Sequence, residues 1–123
     1  MVAVIGGGQL ARMMQEEASA LGVHLRALVE SPRGSAAQVT VDAPVGGADD
    51  EAAVRALVAG RAATGPDAPS LQAAGAADVL TFEHEHQDQE LLLALQGEGV
   101  PVRPDPRALL LARDKLAMRR ALD

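Results

Sequence analysis

Cysteine, tryptophan and tyrosine are absent from this 123-residue chain, and its only aromatic carbocycle is Phe82. Without cysteine there is no disulfide framework, no thiolate nucleophile and no Cys-based zinc site, and nothing argues for an oxidising compartment. A single phenylalanine cannot supply the stacking platform on which single-stranded nucleic acid is bound. Positive charge is scarce as well. Eleven basic residues, of which only Lys115 is a lysine, stand against seventeen acidic ones, for a net charge of −6. That sign is wrong for neutralising a phosphate backbone, so nucleic acid is not an expected partner. No run approaches the ~18 apolar residues of a membrane span. The opening MVAVIGGGQL has neither the length nor the basic flank of a signal segment. These absences lead to the expectation of a cytoplasmic, acidic domain with no membrane partner.

In place of aromatics the chain has 25 alanines and 12 glycines, so its core is expected to be packed from Leu, Val, Met and Ala in one small unit. Met1 to Ile5 is a short apolar run ended by Gly6-Gly7-Gly8, the pattern of a strand buried on both faces of a parallel sheet. From Gln9 to Leu21 the spacing of Leu10, Met13, Met14, Ala18 and Leu21 predicts a helix with these residues as its inner stripe, closed by Gly22. Val23 to Val29 reads as a second strand. Strand, glycine turn, helix and strand within about 30 residues make a βαβ unit with a right-handed crossover, and the class is α/β with a Rossmann-like parallel sheet. Further on, the pattern predicts a short strand over 38–42, a helix over 48–59 with Ala53, Leu57 and Val58 inward, and an exposed connection over 60–69. A helical turn near 71–74, a strand over 78–82, a helix over 90–95 and a final strand over 99–102 follow. Pro104-Asp105-Pro106 opens a helical pattern divided near Ala112 to Asp114, which the chain leaves at Asp123 without a Gly cap, a proline or a polar tail, as a cut through a longer protein would.

Ligands of open α/β sheets bind beyond the carboxyl ends of the strands, which singles out three places. Gly6-Gly7-Gly8-Gln9-Leu10-Ala11 satisfies G-x-G-x-x-G/A between strand and helix. It can be a ligand loop at the positive end of a helix or a merely tight turn; a dinucleotide reading would add Glu30 as the ribose-binding acid. Phe82-Glu83-His84-Glu85-His86 offers carboxylates at a strand end, with Glu83 best placed to accept from an amine or ribose hydroxyls. The run is not expected to bind metal, since one short strand cannot converge four ligands on a point. Arg113 beside Lys115 is either a solvated helix face or a phosphate contact. The hydroxyl residues have no partner at a spacing that suggests covalent catalysis.

Four stretches taken together, VIGGGQLARMM at 4–14, SPRGSAAQV at 31–39, LTFEHEH at 80–86 and VPVRPDPRALLLARDKLAMRRAL at 100–122, resemble the N-terminal pre-ATP-grasp domain of ATP-grasp ligases of purine synthesis, and most closely the N5-carboxyaminoimidazole ribonucleotide synthase family. The resemblance implies a pre-ATP-grasp domain over 1–103 and a helical linker over 104–123 leading to an ATP-grasp domain. It implies substrate contacts at Gly8, Gln9, Leu10 and Glu83, and an ATP contact at Arg113. His84 stands where the family commonly has an apolar residue, and neither it nor His86 is given a role. Longer members of the family carboxylate 5-aminoimidazole ribonucleotide with bicarbonate and ATP, through carboxyphosphate, with Mg²⁺ bridging the ATP phosphates on carboxylates of other domains. A homodimer of the full-length protein, and no turnover by this part alone, are further implications. Two other readings of the same residues are a dinucleotide-binding module of an oxidoreductase and a non-catalytic dimerisation domain.

Overall fold

A computed structural model describes residues 1–60 and 75–122. Its elements are β1 (Val2–Ile5), α1 (Gln9–Leu21), β2 (Leu25–Leu28), a 3₁₀ turn (Ala36–Gln38), α2 (Glu51–Ala59), β3 (Val79–Phe82), α3 (Gln89–Gly97), α4 (Ala108–Arg113) and α5 (Lys115–Leu122). The three strands form a parallel sheet in the order β2-β1-β3, with Ile5 opposite both Leu28 and Phe82. This is the α/β class read from the sequence. Central β1 has helices over both faces, and Ala3, Val4 and Ile5 are buried, as an uninterrupted apolar run demands.

Each face of the sheet carries its own core. Ile5, Leu28 and Leu80 pack against Val54 and Leu57 of α2 and Leu92 and Leu95 of α3. On the opposite face Val4, Ala27 and Val29 meet Ala11 and Ala18 of α1. The helix expected over 48–59 starts at Glu51 because Asp50 caps it, its Oδ1 accepting from Ala53 N–H at 3.1 Å. Asp88 does the same for α3 through Leu91 N–H at 3.1 Å. Val54 rather than Ala53 is the fully buried partner of Leu57 and Val58.

Three expectations are corrected. The stripe of Leu10, Met13 and Leu21 does not face the sheet: these residues are 50%, 51% and 75% exposed. The buried face of α1 is Ala11 and Ala18, seven residues apart, because small side chains on the helix and at Ala27 and Ala36 let helix and sheet approach closely. The strand expected over 38–42 is replaced by the 3₁₀ turn and an irregular edge segment that pairs with the edge at isolated bridges, Arg26–Asp42 and Val29–Val45, rather than as a strand. Its Pro44 accepts from Val29 N–H but has no N–H to return, which limits the ladder. The strand expected over 99–102 likewise reduces to one bridge between Leu80 and Val102, since Pro101 and Pro104 flank it. The break in the C-terminal helical pattern falls at Asp114, between α4 and α5. The helical turn near 71–74 and nearly all of the connection over 60–69 lie outside the described residues. Among the described residues no helix is long and apolar enough to cross a membrane.

Candidate ligand site at the strand ends

The carboxyl ends of β1 and β3 bring the glycine turn and the acidic segment together. Gly6 leaves the sheet with φ +131°, a conformation that L side chains rarely adopt. Gly8 is the N-cap of α1 and has no side chain to satisfy the first helical N–H groups. The Glu83 side chain, from the residue after β3, does so instead. Its carboxylate accepts from Gly8 N–H at 3.0 and 3.2 Å and from Ala11 N–H at 3.0 Å, while its own N–H donates to Ile5 O at 3.2 Å. A negative group at the positive end of a helix is electrostatically favoured there.

This contact explains why the turn is glycine. A Cβ on Gly6 would lie 2.4 Å from Glu83 Cγ, and one on Gly8 would lie 2.9 Å from Glu83 Oε1. Gly7 is closed from below, where a Cβ would lie 2.8 Å from Val29 Cγ1. The G-x-G-x-x-A pattern thus encodes a turn packed against a carboxylate, not an empty cradle for a phosphate. A dinucleotide pyrophosphate at the α1 N-terminus would meet Glu83 there, like charge on like charge. Glu30 is exposed past β2 and has no hydrogen-bond or ion-pair partner among the described residues.

The segment over 31–38 closes a second side. Ala36 N–H donates to Gly7 O at 3.0 Å, Ser35 Oγ donates to Gln9 Oε1 at 3.1 Å, and the Arg12 guanidinium donates to Ser35 O and Gln38 Oε1, both at 3.1 Å. Arg12, Ser35 and Gln38 were not singled out from the sequence. The signal was available, because two motifs that share one site must be tied to each other somewhere. Gln9 is exposed with its amide oxygen held by Ser35, and Leu10 is half exposed at the rim of a shallow apolar groove along α1.

Arg113, the last residue of α4, reaches the same strand end. Its Nε donates to Glu85 O at 2.6 Å and its guanidinium also binds Gln87 O. Two of its roughly five N–H donors are so engaged, and among the described residues the rest have no acceptor. The structure therefore gathers Gly8, Gln9, Glu83 and Arg113 around the ends of β1 and β3. Among the described residues no three His, Asp or Glu side chains are placed to hold a metal ion.

Known proteins share this fold and sequence. N5-carboxyaminoimidazole ribonucleotide synthase of Mycobacterium tuberculosis is 48% identical over 122 residues, covering 99% of this chain and 25% of the relative. The enzyme of that name from Corynebacterium ammoniagenes is 41% identical, covering 98% and 25%. The crystal structure of N5-carboxyaminoimidazole ribonucleotide synthetase from Thermotoga maritima superposes with a TM-score of 0.77 at 32% identity, over 97% of this chain and 29% of that one. The Aspergillus clavatus synthase in complex with ADP and 5-aminoimidazole ribonucleotide gives a TM-score of 0.74 at 28% identity, over 98% and 28%. This chain spans about a quarter of the length of these curated relatives. The description "ribonucleotide synthetase preATP-grasp domain" matches residues 1–67, more than half of the chain and including both the glycine turn and the 31–39 segment, so the chain belongs to the ribonucleotide synthetase preATP-grasp domain family.

Proposed function

We propose that this chain forms one wall of the active site of an ATP-dependent ligase that carboxylates 5-aminoimidazole ribonucleotide with bicarbonate in purine synthesis. The observation that carries the reading is the junction of the glycine turn with Glu83, flanked by Gln9, Leu10 and the 31–38 segment. Exposed polar groups of Gln9 and Ser35 lie beside a carboxylate, which suits the hydroxyls and amine of a small ribonucleotide better than a pyrophosphate. The Aspergillus synthase that binds ADP and 5-aminoimidazole ribonucleotide shares this fold over 98% of the chain.

In this reading Gly8, Gln9, Leu10 and Glu83 contact the ribonucleotide, and the free N–H groups of Arg113 contact ATP. Residues 1–103 are the substrate-side domain, and 104–123 lead toward the nucleotide-binding part of the protein. The carboxylates that hold Mg²⁺ belong to that other part, where the metal neutralises phosphate charge. The full-length protein is cytoplasmic and a homodimer.

An amide spectrum of this chain titrated with 5-aminoimidazole ribonucleotide tests the reading. Shifts centred on Gly8, Gln9 and Leu10 are expected, with NADH leaving them in place. Shifts with NADH and none with the ribonucleotide would overturn it in favour of a dinucleotide module.

A further inference from the structure

We propose that neutral His84 is a positioning residue: its Nδ1 holds the strand-end turn over 84–87 in the shape that grips Arg113, so that a proton on Nδ1 loosens the hold on Arg113 at the end of α4. Two donors converge on that nitrogen. His86 N–H donates to Nδ1 at 3.2 Å, and Gln87 Nε2 lies 3.3 Å from it while donating to His84 O at 3.1 Å. The Gln87 side chain is buried, 4% exposed, and its amide cannot be turned over without setting its oxygen against the His84 carbonyl. Nδ1 therefore meets only donors and must be the unprotonated nitrogen, leaving the ring proton on Nε2. A ring nitrogen accepting from the N–H two residues on does what an Asn or Asp oxygen does in an Asx turn.

The consequence lies in the carbonyls that this turn aims outward. Glu85 O and Gln87 O are the two acceptors that hold the Arg113 guanidinium, and Arg113 ends α4. Placing a proton on Nδ1 turns the acceptor into a donor that faces two other donors. Both bonds are then lost, and the carbonyls no longer share one orientation. The titratable and charged groups next to His84 among the described residues include His86, whose ring lies 6.0 Å from its own, Glu83, Glu85 and Asp88 along the same segment, and Arg113 of α4, held by the carbonyls of the turn. Of these, Glu83 is committed to Gly8 and Ala11, Asp88 caps α3, and His86 lies at 3.7 Å from Glu85 on the exposed side. The neutral ring therefore holds the turn, and a proton on Nδ1 opens it. The inference concerns how Arg113 is held and stands whatever ligand the site takes.

The test follows the histidine rings and the Arg113 Nε–H by NMR of the chain. Three results are expected: His84 as the Nε2–H tautomer when neutral, His86 N–H and Arg113 Nε–H signals that move with the His84 midpoint, and no change in that coupling in a His86→Gln background. His84→Asn keeps an acceptor for the turn but cannot titrate. At acid pH, Arg113 Nε–H in the original chain should exchange with solvent roughly tenfold faster than in His84→Asn at the same pH, the scale of losing a hydrogen bond to a charged group. With His84 neutral the two should exchange alike. An Nδ1–H tautomer, or an Arg113 signal indifferent to the His84 titration, would overturn the proposal even if His84→Asn proved unstable.

Discussion

A carboxylate from the end of β3 caps a helix that begins at the end of β1, and this one contact sets what can be substituted around it. Glu83→Ala removes acceptors from Gly8 and Ala11 N–H and should destabilise the fold by about 1–2 kcal/mol, the range of a lost N-cap. Gly8→Ala places its Cβ against the movable end of the same carboxylate, whereas Gly7→Ala meets Val29, a β-branched side chain just past β2 that cannot swing aside. Combining each glycine substitution with Glu83→Ala in urea unfolding separates the two. The Gly8→Ala cost should shrink in the Glu83→Ala background by ~1 kcal/mol, and the Gly7→Ala cost should not change. Equal behaviour at both positions would mean that the Glu83 contact does not shape the turn.

Among the elements, those specified by local pattern were legible and those specified by what they lie against were not. The positions of β1, α1, α3 and the break between α4 and α5 follow from apolar spacing, glycine and the capping aspartates. On α1, apolar spacing marks Ala18 and Met14 as inward, as they are, but it also favours the bulky Leu10, Met13 and Leu21, which the close approach at Ala11 leaves exposed. The segment expected as a strand over 38–42 has strand-like residues, but Pro44 denies it a full ladder. At the candidate site the sequence marked Gly8 and Glu83 separately; their mutual contact joins positions 75 residues apart, and no spacing rule reports that. At the start of α4 a local pair is readable in full. The Arg107 side chain and then its backbone N–H donate to Asp105, holding that carboxyl at about 2 rather than its ordinary 3.8. Because the folded value lies below the ordinary one, whatever the pair contributes is complete above the ordinary value and is lost as pH falls toward 2. The pair lies in contact with solvent, so the measurable quantity is the titration itself. The Asp105 carboxyl carbon should titrate with a midpoint near 2 and move up to the ordinary range in Arg107→Ala.

For the whole molecule, a small core with a single aromatic, Phe82, at its edge uses a buried ion pair to join three elements. Arg26 lies mid-strand in β2, 4% exposed, on the face covered by α2. Its Nε donates to Asp42 Oδ2 at 2.9 Å and its NH1 to Leu57 O at 2.9 Å, so one guanidinium ties β2 to the irregular edge segment and satisfies a carbonyl in the last turn of α2. His24 Nε2 lies 2.8 Å from the same Asp42 oxygen. Asp42→Ala removes the carboxylate that faces the guanidinium and should cost about 3–5 kcal/mol, a large part of the 5–15 kcal/mol that separates a domain from unfolding. Removing both charges is a different matter, because the desolvation of Arg26 and Asp42 is removed with their attraction. Arg26→Met with Asp42→Leu should recover most of the single-variant loss in guanidinium chloride unfolding. If the double variant is as unstable as Asp42→Ala alone, Arg26 holds the fold through bonds outside the charge pair, that to Leu57 O among them, rather than through the pair itself.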